Sequence, residues 1–357
     1  MPNGTGSGAY PVQLGTIVGG GIQRQHWSTD NRAIMRVGDL GEQGLLQLIA
    51  PFCTEQMGDD CALMGATRSG YELAISTDML VEGVHFSPQT TSAYDVGWRG
   101  ATANLSDLAA VGAEPWGLTV GLGLPADTAV EWVVGVYQGL ADCAGRWGVG
   151  VVGGDLVRSP VPVLGITAFG QVPCGKAIRR DRAQVGDQIV VTGLHGLSRA
   201  GLALLLQPEL TELVSKEEAE VLRRAHQRPV PRLDIAQWLM HKLPALERPL
   251  AGMDSSDGLA DAIWQICTAS GVGAAIDKDK IKVSPAIVKL AGENARNWVL
   301  YGGEDFELVL CLPADTAVQL SQHFPDCDIV GEIVTVSDPA NNLNWLASGS
   351  AFCHFIT

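Results

Sequence analysis

The chain has 357 residues, enough for two domains that each bury a core, and its 46% hydrophobic and 18% charged residues exclude a disordered or fibrous protein. The net charge of −15 repels phosphate backbones and argues against a nucleic-acid-binding protein. No apolar stretch has the length of a membrane-spanning helix, and residues 1–25 lack the basic and apolar segments of a signal peptide, so neither a membrane protein nor an exported protein is expected.

The predicted elements begin with an N-terminal lobe. Residues 1–30 carry glycine-rich patches with little that could form a core, so we expect a flexible extension there. Residues 31–175 combine helical and strand periodicities, which predicts an α/β lobe. One predicted helix ends at Pro51, two more cover residues 92–111 and 131–147, and the predicted strands cover residues 71–77, 81–86, 117–124, 149–154 and 163–172.

A second lobe is predicted for residues 176–357, and it begins rich in helix. The predicted helices cover residues 197–206, 216–226, 233–241 and 257–270, and the predicted strands cover residues 188–193, 273–277, 306–312 and 329–334. Helices and strands mix in both halves, and no repeat of solenoid period occurs. The predicted fold class is therefore α/β (α+β), with two lobes.

Six short acidic motifs are the most informative feature of the sequence. They are GDD at residues 58–60, STD at 76–78, LSD at 105–107, GGD at 153–155, DSSDG at 254–258 and GGED at 302–305. Any one of them is typical of a turn or a helix cap at the end of an element. Several carboxylates that converge on one cavity are tolerated only when cations or protons neutralise them, and oxygen ligands suit Mg²⁺. The set therefore indicates Mg²⁺-dependent phosphoryl transfer from ATP.

The common nucleotide-binding motifs do not fit this chain. Residues 170–177 (GQVPCGKA) resemble a phosphate-binding loop, but Ala177 lacks the required hydroxyl and Pro173 lacks an amide hydrogen. Residues 148–153 match GxGxxG, but a strand pattern follows instead of a helix. Neither a P-loop nor a dinucleotide-binding fold is therefore expected.

Phosphate binding also needs positive charge, and the chain has no lysine before Lys176. The candidates are the arginines of the RRDR cluster at residues 179–182, which equally suit a solvated linker. His85 follows the strand of Asp78 and is either a packed histidine or a donor to a substrate phosphate. The eight cysteines include no CxxC pair, which predicts reduced thiols and a cytoplasmic protein.

The ordered series of motifs resembles the thiamine-monophosphate kinase family. The motifs that carry the resemblance are GDDCA (58–62), STDMLVEGVHF (76–86), NLSDLAA (104–110), GGD (153–155), SSDGL (255–259) and GGED (302–305). This family belongs to the aminoimidazole ribonucleotide synthetase-like ATP-binding enzymes. The resemblance implies an N-terminal α/β lobe with barrel-forming strands, a C-terminal mixed α/β lobe and a homodimer in which the N-terminal strands join across the two-fold. It assigns no role to the extension before about residue 32.

The resemblance also implies roles for individual residues. The implied Mg²⁺ ligands, some through backbone oxygen or water, are Asp60, Ser76, Thr77, Asp78, Asp107, Asp155, Asp254 and Asp257. The implied ATP contacts are Gly154, Asp155, Arg180 and Ser256. The implied contacts to thiamine monophosphate are His85, Glu304 and Phe352, with Phe355 as an equally good partner in place of Phe352.

The implied reaction is the ATP-dependent phosphorylation of thiamine monophosphate to thiamine diphosphate by direct in-line transfer. The acceptor phosphate is already anionic, so no protein nucleophile or base is required, and several Mg²⁺ ions offset the repulsion between the two substrates. Within the superfamily the alternatives are a selenophosphate synthetase, whose reactive Cys beside a Lys is missing from residues 1–50, and a hydrogenase-maturation relative with a C-terminal thiol, where this chain ends in Thr357. A non-catalytic nucleotide sensor is the alternative from another class.

Overall fold

In the computed structural model of the chain, the described residues are 14–18, 21–25, 35–54, 66–242 and 248–348. None of the helices in these ranges is both long and apolar enough to cross a membrane. The helices are α1 (Val37–Ile49), α2 (Ala93–Ala110), α3 (Val130–Gly145), α4 (Leu197–Leu206), α5 (Lys216–Gln227), α6 (Leu233–Lys242), α7 (Leu259–Ser270), α8 (Pro285–Ala291), α9 (Ala295–Tyr301) and α10 (Ala314–His323). The strands are β1 (Leu14–Val18), β2 (Gly21–Gln25), β3 (Tyr71–Val81), β4 (Glu114–Leu124), β5 (Val151–Arg158), β6 (Val163–Pro173), β7 (Gln188–Thr192), β8 (Ala251–Asp254), β9 (Gly273–Ile276), β10 (Leu308–Leu312) and β11 (Cys327–Val334).

The first large sheet has four strands in the order β3-β6-β4-β5. The strand β6 is antiparallel to both β3 and β4, whereas β4 and β5 are parallel. Helices α2 and α3 cover one face of this sheet, and buried residues such as Leu105, Leu122 and Ile166 form the core between them. The other face carries exposed apolar side chains, as described below. The strands β3 and β5 are the two edges of the sheet.

The second large sheet has five antiparallel strands in the order β8-β10-β7-β11-β9. Both of its faces are buried, because alternate residues of β10 enter different clusters. Leu308 and Leu310 belong to the cluster that also contains the core of the first sheet, whereas Val309 and Cys311 pack with α7 and α9. Since side chains alternate along a strand, one strand serves two cores. The apolar contact between the two sheets is therefore continuous.

Several sequence predictions differ from the structure. The predicted strand 81–86 is wrong, because β3 continues to Val81 and the chain then turns at residues 83–85, where Gly83 has a φ of +82°. Residues 14–18 and 21–25, inside the predicted flexible extension, are two strands that pair with each other antiparallel. The strand β8 and the helices α8, α9 and α10 were not predicted, because each is short and its apolar residues follow no clear period. The proposed lobe boundaries at residues 30 and 175 stay a prediction.

Candidate functional site

Helix α2 places polar side chains between the two sheets. It begins at the N-cap Ser92, whose hydroxyl accepts the Asp95 N–H at 3.2 Å, and it ends before Gly112, which has a φ of +74°. Asn104 and Asp107 are three residues apart, so they share one face of the helix. Asn104 Oδ1 accepts a hydrogen bond from the Asp78 N–H at 3.2 Å. The last turns of α2 are thereby fixed against the edge strand β3.

Strand β3 adds two side chains to this group. Ser76 and Asp78 are two residues apart, so they point to the same face of the strand, toward α2. The Ser76 hydroxyl donates to Asp107 Oδ2. Two predicted ligands, Ser76 and Asp107, are thus in direct contact. Asp78 lies close enough that its negative charge raises the pKa of Asp254.

The second lobe contributes Asp254, at the end of β8. Its carboxylate accepts a hydrogen bond from Ser106 on α2 at 2.9 Å and from Ser256 at 3.3 Å, so it links the two lobes. The chain then turns through Asp257 to Gly258, whose φ of +120° only glycine adopts without strain, and α7 begins. This turn holds Asp254 buried while leaving Asp257 exposed.

Burial and mutual repulsion raise the pKa values of these carboxyls. The pKa of Asp254 is raised to about 7, first by burial and then by the charges of Asp107 and Asp78. The pKa of Asp78 is raised to about 6 by burial, by Asp107 and by Asp257. Burial also raises the pKa of Asp107, although the Ser76 hydroxyl and the charge of Arg180 oppose the rise. Ser76, Asp78, Asp107 and Asp254, called the acidic group below, therefore bind protons or cations more readily than exposed carboxylates do.

Arg180 is a cation whose charge acts on Asp107. It lies in a short 3-10 helix, is exposed, and donates from Nη1 to Gln265 Oε1 at 2.7 Å. Its charge opposes the rise in the Asp107 pKa, so it acts on the same acidic group. Among the described residues, Arg179 and Arg182 pair with Asp181, whereas Arg180 forms no ion pair. Its exposed guanidinium could therefore bind a phosphate group.

The GGED motif forms a loop that follows α9. Glu304 and Phe306 have φ values of 66° and 54°, which are rare for residues other than glycine. The Glu304 N–H donates to Ser256 O at 2.7 Å, and the Asp305 carboxylate accepts from the backbone N–H groups of Gly196 and Ser198 at the start of α4. Hydrogen bonds on both sides hold this strained loop in place.

Thr77 and Asp155 do not join the acidic group within one chain. Thr77 lies on the opposite face of β3 from its neighbours, where its hydroxyl is 2.8 Å from that of Thr167. Asp155 lies inside β5 and pairs with Gly121 of β4, so the predicted turn at GGD is wrong. Because β5 and β3 are the two edges of a four-stranded sheet, about 14 Å separates their backbones.

Gly154 has a structural reason to be glycine. A Cβ there would lie 2.0 Å from the carbonyl oxygen of Val120 on the paired strand, whereas a Cβ at Gly153 would meet nothing within 4 Å. Close approach of two strands therefore requires Gly154. This requirement is independent of its expected contact with ATP.

The remaining expected residues are placed as follows. His85 lies in the turn after β3, half-buried, and its Nδ1 accepts from the Val81 N–H at 3.0 Å, which puts the proton of the neutral ring on Nε2. Ser256 lies in the turn between Asp254 and α7. Asp60 and Phe352, with the alternative Phe355, lie outside the described residues.

Sequence reasoning assigned no role to three residues that organise this region: Asn104, Ser106 and Arg99. Asn104 and Ser106 were part of a recognised motif, and the helical spacing to Asp107 could have indicated Asn104. Nothing in the sequence indicates that Ser106 meets Asp254, 148 residues away. Nothing in the sequence indicates that Arg99 pairs with Glu304 of the other lobe.

The donor set fits Mg²⁺ in its chemistry. The acidic group offers carboxylate and hydroxyl oxygens only, and its carboxyls carry charge that burial makes unfavourable. In the described part of the chain, no three His, Cys, Asp or Glu side chains form a ready-made metal cluster. Mg²⁺ does not need one, because it keeps several waters and binds through one or two carboxylates together with substrate phosphates.

Comparisons with known proteins agree on one family. Family models of AIR synthase related protein match residues 58–172 with the N-terminal domain and residues 184–340 with the C-terminal domain. The thiamine-monophosphate kinase of Synechococcus elongatus is 47% identical over 300 residues, which cover 83% of this chain and 90% of that protein. The crystal structure of the enzyme from Stenotrophomonas maltophilia K279a has 36% identity and a TM-score of 0.69, covering 78% of this chain and 87% of that one. The structure of AaThiL complexed with AMPPCP and TMP has 31% identity and a TM-score of 0.66, covering 84% and 93%.

Proposed function

The chain belongs to the AIR synthase related family as a thiamine-monophosphate kinase, an enzyme that phosphorylates thiamine monophosphate with ATP, and we propose that the acidic group of Ser76, Asp78, Asp107 and Asp254 is its reaction centre. The observation that carries this placement is the inter-lobe contact of Asp254 with Ser106, beside Asp107 and Asp78. The product, thiamine diphosphate, makes this a biosynthetic enzyme.

The acceptor chemistry explains why the site needs no protein base. A phosphate monoester is anionic at neutral pH, so it attacks without losing a proton to the protein. The obstacle is the repulsion between two anionic substrates, which several bound Mg²⁺ ions would offset by charge neutralisation. The proposed ligands are Asp60, Ser76, Thr77, Asp78, Asp107, Asp155, Asp254 and Asp257. The raised pKa values of Asp78 and Asp254 support the view that this group holds cations.

Substrate contacts complete the proposal. Arg180, with Ser256, Gly154 and Asp155, would hold the ATP phosphates, and its electrostatic effect on Asp107 supports that location. His85, Glu304 and an aromatic residue near the C-terminus (Phe352 or Phe355) would hold thiamine monophosphate. A cytoplasmic location is supported by buried free thiols, including Cys143, Cys267 and Cys311, and by the use of ATP.

The direct test is product formation. Purified protein with ATP, thiamine monophosphate and Mg²⁺ should release ADP and thiamine diphosphate in equal amounts, measured by chromatography. Replacing thiamine monophosphate with selenide should give no ATP consumption. ATP binding without product would instead identify a nucleotide sensor.

A homodimer is part of the proposal, and an exposed apolar face supports it. Leu73, Ile75 and Met79 alternate along β3 on the face that α2 does not cover, and each is at least 50% exposed. Val157 of β5 adds to the same face at the other edge of the sheet. Several large apolar side chains exposed on one face of a sheet are typical of an interaction site. A second copy of the sheet, as in the expected barrel across the two-fold, would cover it.

We expect Ile75→Glu to weaken the dimer, because it places a charge in an apolar interface. Analytical ultracentrifugation at micromolar concentration should give a dimer mass for the wild type and a monomer for the variant. Val318→Glu is the matched control, since Val318 is similarly exposed but lies on α10 of the other lobe. A monomeric wild type, or equal dimerisation by both variants, would contradict the proposed interface.

The second copy would also complete the reaction centre. Within one chain, Asp155 is on the far edge strand, about 14 Å from the backbone of β3, so Asp155 and Asp78 cannot share one metal ion. If the sheets of two copies close into a barrel, the edge β5 of one copy lies beside the edge β3 of the other. We therefore propose that each site combines Asp78 and Asp107 of one copy with the equivalent of Asp155 from its partner.

We expect the metal-free protein to be less stable at pH 8 than at pH 6, and Mg²⁺ to remove the difference. The folded-state pKa values of Asp78 and Asp254, about 6 and about 7, lie above their ordinary unfolded values. The folded protein therefore binds more protons between about pH 4 and 7, and its stability falls as the pH rises through that window. Bound Mg²⁺ would neutralise the Asp78 and Asp254 carboxylates in place of these protons, so the dependence of stability on pH should disappear.

Thermal melting in chelator and in excess Mg²⁺ at both pH values measures this effect. The double variant Asp78→Asn, Asp254→Asn is the control, and its melting temperature should depend less on pH and on Mg²⁺. A wild-type protein whose Tm at pH 8 is insensitive to Mg²⁺ would count against a cation site at these carboxyls.

A further inference from the structure

Arg99 is a buried arginine on α2 whose ion pair joins the two lobes. Its side chain is 2% exposed, and Nη2 donates to Glu304 Oε1. Nη1 lies 3.4 Å from Thr91 Oγ1 and 3.5 Å from His226 Nε2. Among the described residues, Glu304 is the carboxylate that compensates this charge. Since burying an arginine is costly, a specific partner is required to retain it there.

His226, which lies close to Arg99, carries no charge that could compensate the Arg99 guanidinium. It is buried on α5, and burial together with the Arg99 charge lowers its pKa to about 3. The ring is therefore neutral at physiological pH, and its Nδ1 lies 3.0 Å from Ser198 Oγ. His226 therefore adds a dipole and no net charge to the pair of Arg99 and Glu304.

The backbone and the side chain of Glu304 are held by different partners. The backbone of the loop is already held by Ser256 and by the bonds of Asp305 to the start of α4. The side chain nevertheless keeps 36% of its surface exposed, although Arg99 holds Oε1. Arg99 therefore selects one orientation of a partly exposed carboxylate.

We propose that Arg99 is a positioning residue for the substrate, because it fixes Glu304 so that the exposed part of the carboxylate meets the cationic thiazolium half of thiamine monophosphate. The inference rests on the proposed substrate role of Glu304. A glutamate held in one rotamer before binding avoids the entropy cost of being ordered by the ligand. The interaction contributes to binding of one substrate and leaves phosphoryl transfer itself to the acidic group.

Steady-state kinetics of Arg99→Met test the inference. Methionine has a similar length and removes the charge. We expect the KM for thiamine monophosphate to rise about tenfold, with kcat within about threefold of wild type and the KM for ATP unchanged. Arg99→Lys keeps the charge and should recover part of the loss. If Arg99→Met does not accumulate as folded protein, Arg99→Gln serves in the same assay with the same expectation.

Arg228→Met is the matched control. The Arg228 guanidinium pairs with Asp95 at 2.6 Å and thus also joins α2 to the second lobe, without a bond to Glu304. We expect it to leave the KM for thiamine monophosphate unchanged. If the two variants raise the KM values for both substrates equally, Arg99 only holds the lobes together and the inference is overturned.

Glu304→Gln separates this inference from the proposed function. If it raises the KM for thiamine monophosphate and Arg99→Met in that background adds nothing, the two residues act as one unit. If Glu304→Gln raises the KM but Arg99→Met alone does not, the role of Arg99 is overturned while that of Glu304 stands. An unchanged KM in Glu304→Gln overturns both.

Discussion

Dimers assembled from equal amounts of Asp78→Asn and Asp155→Asn chains should regain roughly a quarter of wild-type turnover, although each variant alone should lose about a hundredfold or more. The reason is the sheet order, which puts the two residues on opposite edges of one chain. In a mixed dimer, one site receives both substitutions and the other receives none. At random assembly about half of the dimers are mixed, and one site in each is intact.

The experiment requires co-refolding or co-expression, with native mass spectrometry to confirm that mixed dimers form. The matched control is a mixture of Asp78→Asn with Asp107→Asn. These two residues belong to the same acidic group of the same chain, so every site in a mixed dimer keeps one substitution and no activity should return. Equal behaviour of the two mixtures would show that Asp155 does not complete the partner's site.

Asp107→Asn should lose about a hundredfold to a thousandfold in kcat/KM without a loss of stability. Asp107 accepts from Ser76, and its charge raises the pKa values of both Asp78 and Asp254, so it lies at the centre of the acidic group. Asparagine keeps the size and an oxygen acceptor for Ser76 but removes the charge that would bind a cation. Because burial disfavours that charge in the metal-free protein, the Tm should stay the same or rise.

Kinetics at saturating Mg²⁺ and thermal melting in chelator measure the two effects. Asp127→Asn is a suitable control, since Asp127 is an exposed carboxylate in the loop before α3 and should affect neither quantity. Turnover close to wild type in a folded Asp107→Asn protein would remove the acidic group from the mechanism. A large drop in Tm would instead identify Asp107 as a structural residue.

Much of the fold could be predicted because its signals are local. The helix predicted at 92–111 is α2 within one or two residues at each end, since the periodicity and Gly112 both belong to the segment itself. The strands β6 and β7 and the helices α4, α5 and α6 also agree closely. The family was recognisable for the same reason, because its motifs are short and continuous.

The faces of the first sheet needed the tertiary structure. Along β3, Leu73 and Ile75 are exposed while Leu80, on the other face, is buried. The more apolar face is thus the exposed one, and the face toward α2 carries Ser76 and Asp78, so alternation alone does not tell which face meets α2. The family resemblance groups Thr77 with Ser76 and Asp78, whereas the fold turns the Thr77 hydroxyl to the opposite side of the strand.

The sequence by itself determined the acidic motifs, the two-lobed α/β class and the kind of reaction, because each depends on residue type and nearby spacing. Only the tertiary structure decided which of these residues meet. The bond between Ser106 and Asp254 joins positions 148 residues apart, and the pair of Arg99 and Glu304 joins positions 205 apart. Such contacts arise from the packing of two lobes on a shared apolar cluster, and no local period or propensity encodes which polar residues that packing brings together.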